Sequence, residues 1–190
     1  MQGMMMNQSL SIIEILRYAA EAHPGGEVVS VRTEGDLHRE SYAEAYLRAA
    51  QLAHGLSGLD IARGDRVATL AWNGHRHFEL YYGVSGMGAV CHTINPRLFD
   101  DQLEYIANHA EDRVLIYDAA FQPIVDKMKD RWTSIEHYIC YDPPEGSDAM
   151  AFEDWIGAQD GRYEWASVEE RDPCMLCYTS GTTGNPKGVL

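Results

Sequence analysis

The sequence predicts an α/β layered fold: a mostly parallel sheet with flanking helices. Through the middle of the chain, short apolar and β-branched runs alternate with stretches whose apolar residues recur at helical spacing. The 190 residues are 45% hydrophobic, enough for one domain with a buried core.

Each element has its own signal. Ser11 with Glu14 reads as a capping box. Ile12, Ile15, Leu16 and Ala19 then repeat at helical spacing until Pro24-Gly25-Gly26. Glu27 to Arg32 and Leu37 to Glu40 read as a hairpin around Glu34-Gly35-Asp36. Ser41 with Glu44 gives a second capping box, followed by an Ala-rich helix to about His54. Arg66 to Ala71 predicts a strand and His75 to Val84 a helix. Ala89 to Ile94 is the next strand and Asp101 to His109 the next helix. Arg113 to Tyr117 is a strand, Phe121 to Asp130 a helix, and Ile135 to Tyr141 a strand. Asp142 to Asp148 reads as a surface loop, and after Trp155 the chain stays polar up to Asp172-Pro173. Cys174 to Tyr178 is the last predicted strand.

Charge narrows the partners. Fifteen Lys+Arg against 29 Asp+Glu leave a net charge of −14. Such a chain repels a polyanion at long range, which argues against nucleic acid. The same field opposes any small anionic ligand, so an anion site has to be local, built from backbone N–H groups and a few basic side chains. No run approaches the ~20 apolar residues that span a bilayer. Met1 to Leu10 carries no basic residue, and Glu14 and Arg17 interrupt the apolar stretch behind it. This argues against a secretory signal and for a cytoplasmic protein. Reduced, buried cysteines fit that compartment. Cys174 and Cys177 match C-x-x-C in spelling, but three residues apart on a strand their sulfurs face opposite sides, and no second pair completes a zinc site.

The informative stretch is Thr179-Ser180-Gly181-Thr182-Thr183-Gly184-Asn185-Pro186-Lys187-Gly188. Its glycines let the backbone turn tightly and approach a ligand with no Cβ in the way. Successive N–H groups in such a turn can form a concave anion nest. The hydroxyls add donors, or one can ligate a cation. Pro186 holds Asn185 in extended geometry and so fixes the approach to Lys187, which supplies a positive charge. These parts together suit a polyphosphate. The stretch is not a Walker A loop, because Pro186 precedes Lys187 and Gly188 follows it where Ser or Thr is required.

From Tyr178 to Gly188 the string resembles the signature loop of the adenylate-forming (AMP-binding) superfamily, which includes acyl-CoA synthetases, luciferases and peptide-synthetase adenylation domains. Arg63-Gly64-Asp65-Arg66-Val67-Ala68 and Trp72-Asn73 are similar to the early part of that fold. Ser85-Gly86-Met87-Gly88-Ala89-Val90 and His92-Thr93-Ile94-Asn95-Pro96-Arg97-Leu98 look like the branch of medium-chain acyl-CoA ligases and 3-methylmercaptopropionyl-CoA ligases. Read from the residues alone, these segments are scaffold: Gly83, Gly86 and Gly88 permit close helix–sheet packing, and Asn95-Pro96 is a turn after a strand.

The resemblance implies a ligase that consumes a small carboxylate, ATP and CoA. The carboxylate attacks the α-phosphorus, acyl-adenylate and pyrophosphate form, and CoA then displaces AMP. It implies that Thr179 contacts Mg²⁺, that Ser180, Thr182, Thr183 and Lys187 contact phosphate, with Lys187 acting catalytically, and that Gly181, Gly184 and Gly188 shape the turn. Family members are much longer, so residues 1–190 are expected to be the amino-terminal portion of the large ATP-binding domain and to be inactive alone. A homodimer is the candidate assembly. Other adenylating enzymes, acting on aryl or amino acids, a phosphate-loop NTPase or kinase with an unusual loop, and a non-catalytic binding fragment are the alternatives.

Other constellations fail. Gly83-Val84-Ser85-Gly86-Met87 misses the G-x-S-x-G nucleophile elbow at Met87 and follows a helical run where a strand is required. His75 and His77 do not share a helix face and are expected to be solvated rather than metal-binding. Asp100-Asp101 and Glu169-Glu170 read as helix-end and surface charge. Phe78, Tyr81 and Tyr82 read as core.

Overall fold

The computed structural model describes residues 3–4, 8–179 and 185–190. The chain opens with helix α1 (Ile12–Ala22) and a hairpin of β1 (Glu27–Val31) and β2 (Leu37–Ser41). Helix α2 (Tyr42–Gly58) starts on the predicted capping box: the Ser41 hydroxyl accepts from the Glu44 N–H, and the Glu44 carboxylate accepts from the Ser41 N–H at 2.7 Å. The corresponding box at Ser11 does not form. There the side chain makes no capping bond, and Glu14 instead pairs with Arg17 and accepts from Gln8.

The alternating core follows: β3 (Arg66–Leu70), α3 (His75–Gly86), β4 (Val90–Thr93), α4 (Asp100–Ala110), β5 (Asp112–Tyr117), a 3-10 turn (Ala119–Phe121), α5 (Gln122–Met128) and β6 (His137–Cys140). Three elements go beyond the sequence reading: β7 (Met150–Ala151), α6 (Phe152–Gly157) and, after β8 (Met175–Thr179), the strand β9 (Lys187–Val189). The main sheet has the order β7-β6-β5-β3-β4-β8-β9, parallel throughout except for β9, which runs antiparallel to β8.

Both faces of this sheet are covered, as a parallel sheet requires. On one face Val67, Cys91, Val114 and Ile116 pack against Leu52 and Leu56 of α2, Leu80 and Val84 of α3, and Phe152 and Ile156 of α6. On the other, Ala68, Leu70, Leu115 and Tyr117 pack against Leu103 and Ile106 of α4 and Val125 and Met128 of α5. Burying each such Leu or Val contributes about 1.5–3 kcal/mol. The chain leaves β3 over the first face to reach β4, then returns over the second face to β5. The connection from β3 leads to β4 and that from β5 leads the other way to β6, so the crossovers diverge between β3 and β5. Ligands of open α/β sheets bind outside the carboxyl ends of the strands at such a switch point.

The glycines of α3 serve a different neighbour from the one the sequence suggests. A Cβ at Gly83 would come within 2.9 Å of the Ala49 carbonyl and 2.7 Å of Leu52, both on α2. One at Gly86 would meet Trp165 and Ile13 of α1. Helix α3 is thus pressed between the sheet and two other helices, and its small residues face the helices. Among the described residues no helix is long and apolar enough to cross a membrane.

Candidate functional site

Strand β8 lies beside β4, with Cys91, His92 and Thr93 level with Met175, Leu176 and Cys177. Parallel pairing puts the carboxyl end of β8, Thr179, on the same rim as the carboxyl ends of β3 and β4. The chain leaves that rim at Thr179 and returns at Lys187, and these two residues face each other as the last register pair before the connection. The candidate loop is therefore the connection of a hairpin, held at both ends by the sheet. Ser180, Gly181, Thr182, Thr183 and Gly184 lie outside the described residues. Thr179, Lys187 and Gly188 lie within them.

Thr179 and Lys187 are both exposed. The Thr179 hydroxyl donates to the Lys187 carbonyl over 3.5 Å, which leaves its lone pairs available to a cation or a donor. Gly188 sits opposite Tyr178, and a Cβ there would come within 3.2 Å of the Tyr178 ring. The exposed Lys187 ammonium and the Thr179 hydroxyl, placed where β8 ends and β9 begins, suit an anionic ligand. Among the described residues no group of three or more His, Cys, Asp or Glu could hold a metal ion.

The rim beyond β3 is polar and tightly fixed. The Asp118 carboxylate accepts from the Trp72 N–H at 2.6 Å and from the Thr33 hydroxyl at 3.4 Å. A nook of about 30 Å³ there is lined by residues that include Thr33, Trp72, His75, Arg76 and Asp118. Next to it, Asn95 closes the turn after β4 by accepting from the Arg97 N–H at 3.0 Å, as the sequence suggests. A larger cavity, about 800 Å³ and mostly apolar, is elsewhere. Its lining includes Leu10, Ile15, Tyr18, Val168 and Pro173. Pro173 precedes the amino end of β8, so the span from Pro173 to Thr179, roughly 20 Å at ~3.3 Å per residue, separates that wall of the cavity from Thr179.

His75 and His77 depart from expectation, because both are buried. The His75 ring stacks on His38 with centroids 3.6 Å apart, and His77 meets the Thr69 hydroxyl at 3.2 Å and stacks on Tyr81. Desolvation by burial holds both imidazoles neutral: His77 falls to about 4, and His75, with the charges of His38, Arg76 and Arg48 adding to the effect, to about 3. The flanking residues of α3 carry a buried ion cluster that sequence reading missed. Arg48 bonds Glu79 at 2.7 Å and Glu153 at 2.9 Å, while Arg76 bonds Glu153 at 2.8 Å and Glu34 at 2.9 Å. Burial pushes the Glu79 carboxyl upward against its Arg48 bond, and neighbouring Glu40 adds to the rise. The members come from β2, α2, α3, α6 and the first hairpin turn, so no spacing in the sequence could have united them.

The cysteines also differ in part. Cys91 and Cys140 are buried thiols, but Cys174 and Cys177 are exposed. Ser85 donates its hydroxyl to the Cys174 carbonyl from within α3, in keeping with a structural serine. Asp100 and Asp101 occupy the first turn of α4, Glu169 and Glu170 are exposed, and Phe78, Tyr81 and Tyr82 pack against core clusters, all as read from the sequence.

The profile of the AMP-binding enzyme family matches residues 16–190. The chain belongs to that family. Along its whole length it is 44% identical to the 3-methylmercaptopropionyl-CoA ligase of Ruegeria lacuscaerulensis and 45% identical to the medium-chain-fatty-acid–CoA ligase of Ectopseudomonas oleovorans, covering 36% of each. Among solved structures, the anthranilate CoA ligase AuaEII in complex with anthranoyl-AMP superposes on 97% of the chain with a TM-score of 0.87 and 26% identity, the chain covering 35% of it. The inhibitor-bound N-terminal domain of FACL13 from Mycobacterium tuberculosis matches 94% of the chain with a TM-score of 0.82 and 30% identity, the chain covering 43% of it. The chain thus spans about a third of the length of the curated relatives it matches. The AMP-binding enzyme family and the mostly parallel sheet with flanking helices agree with the expectation from sequence.

Proposed function

We propose that the full-length protein is an ATP-dependent acyl-CoA ligase and that residues 1–190 form the amino-terminal portion of its large nucleotide-binding domain. One observation carries the reading: a loop of hydroxyls and glycines, entered at Thr179 and left at Lys187, hangs from the carboxyl rim of a parallel sheet in a member of the AMP-binding enzyme family. In this reading the carboxylate oxygen of the acid attacks the α-phosphorus of ATP, and the bond to the bridging oxygen of pyrophosphate breaks. CoA sulfur then attacks the acyl carbonyl, and AMP departs. The names of the relatives support a medium-chain fatty acid or 3-methylmercaptopropionate as the acid.

The chain's own part is to hold the leaving pyrophosphate. Lys187 supplies the positive charge, and the hydroxyls of Ser180, Thr182 and Thr183 donate to the β- and γ-phosphates. Gly181, Gly184 and Gly188 keep the backbone close to them. Magnesium, bound to the triphosphate and touched by Thr179, would neutralise further negative charge. Fixed donors aimed at developing charge are worth the most in this chemistry, since little reorganisation is left for the moment of reaction. The test is ATP–pyrophosphate exchange in the full-length protein. Exchange that needs added 3-methylmercaptopropionate or octanoate supports the reading. Release of ADP in place of AMP, with no dependence on a carboxylate, overturns it.

A further inference from the structure

Tyr178, the residue just before the loop, gathers more partners than any neighbour on its strand. Its hydroxyl meets His109 Nδ1 of α4 at 2.7 Å. Its ring lies 5.2 Å from the ring of His92 on β4 and edge-on to His109 at 5.9 Å. It also covers Gly188 of β9, the residue just after Lys187. His92 is itself immobilised: it has no exposed surface, and its Nδ1 donates to both oxygens of Asp112 on β5, at 2.9 and 2.8 Å. The other ring nitrogen, Nε2, is buried without a hydrogen-bond partner among the described residues. That cost, roughly 1–3 kcal/mol for an unsatisfied buried group, is unusual for a group that only fills space.

From this geometry we infer that Tyr178 is a positioning residue for the nucleotide loop, braced by His109 on one side and by the buried His92–Asp112 pair on the other. The inference rests on the adenylation reading above. Both strands that anchor the loop meet Tyr178: β8 carries it one residue before its end, and β9 packs Gly188 under its ring. A shift of that ring therefore moves Thr179 and Lys187 together. The brace acts through the residues that flank the nucleotide loop, so its loss acts on nucleotide affinity. Tyr178→Phe is the gentle probe, because the ring stays on His92 and Gly188 while the bond to His109 disappears.

In the full-length protein, Tyr178→Phe and His109→Ala should each raise the KM for ATP by about three- to ten-fold, the range that one neutral hydrogen bond commands. The KM values for the acid and CoA, and the Tm, should stay at those of the unmodified protein. The double variant should be no worse than either single one, since both remove the same bond. An unchanged KM for ATP in Tyr178→Phe, additive effects in the double variant, or a uniform loss in all three KM values and Tm overturns the inference. If the unmodified protein itself shows no carboxylate-dependent exchange, the adenylation reading falls first and the brace falls with it. If it exchanges and Tyr178→Phe keeps its KM for ATP, the brace alone falls.

Discussion

Two places in this molecule concentrate positive charge, and they use it in opposite ways. Beneath α3, Arg48 and Arg76 are engaged from several sides by Glu34, Glu79 and Glu153, and the cluster ties the first hairpin to α2, α3 and α6. At the sheet's rim, Lys187 stands exposed on a short strand with a hydroxyl opposite. Cations enclosed by carboxylates hold elements together. A cation left at the end of a hairpin, in a chain of net charge −14, is available to an incoming anion. The difference separates a residue's contribution to the fold from its contribution to chemistry, and substitutions can test it.

The largest expected effect is on the enclosed side. Arg48→Met leaves Glu79, with no exposed surface, facing Glu40 without a counterion. Breaking a buried pair in this way costs about 3–5 kcal/mol, read by urea unfolding. A loss below 1 kcal/mol would show that the cluster is no latch. The counterpart at the rim is Lys187→Ala. Its stability should stay within about 0.5 kcal/mol of the parent. Pyrophosphate exchange in the full-length protein should fall about 10²-fold, the scale for losing one donor to developing charge. Unchanged exchange would remove Lys187 from the site.

Gly83→Ala comes next. The added methyl meets the Ala49 carbonyl and Leu52, and overpacking of this kind costs about 1–3 kcal/mol. A neutral result in thermal unfolding would mean that α2 and α3 can separate at no cost. The smallest effect is a pH dependence of Tm with two limbs. His75 and His77 are held below the ordinary histidine value, so their contribution is present above ~6.5 and is lost as pH falls toward about 3 to 4. Glu79 is held above its ordinary value, so its contribution is present at low pH and is lost as pH rises through its folded-state value. Between ~4.5 and ~6.5 the two oppose. His77→Gln should flatten the acid limb and Glu79→Gln the alkaline one. An unchanged curve in either variant would show that its group is not the one titrating.

What the sequence disclosed follows the same division. Local signals were legible: the Ser41 capping box, the βαβ alternation, the Asn95 turn, and the place of the loop after the last parallel strand. Signals that depend on distant partners were not. Ser11 carries the same capping residues as Ser41, but Glu14 finds Arg17 instead. His75 and His77 look like solvated polar residues at a helix start until His38 and Ser30 of the first hairpin meet His75, and Thr69 of β3 meets His77. Gly83 and Gly86 mark close approach, but only the packed structure shows that helices do the approaching. Strand β9 is three residues long and exposed along its length, too short for any periodicity to show. Within the candidate site, residue identity pointed to Thr179 and Lys187. Their pairing across the hairpin and the brace on Tyr178 depended on the sheet order.

The order β3-β4-β8 has a temporal consequence. Thr93 and Cys177 touch across 84 positions of chain, whereas β3 pairs with β4 after one helical crossover and with β5 after two. Each doubling of a closed span costs roughly 0.6 kcal/mol in chain entropy, and non-local pairings are slow to form. The strand that carries the loop therefore docks late, onto a core already assembled. A chain emerging from the ribosome presents β3, β4 and β5 before β8 is made, so the order of synthesis matches the order of docking.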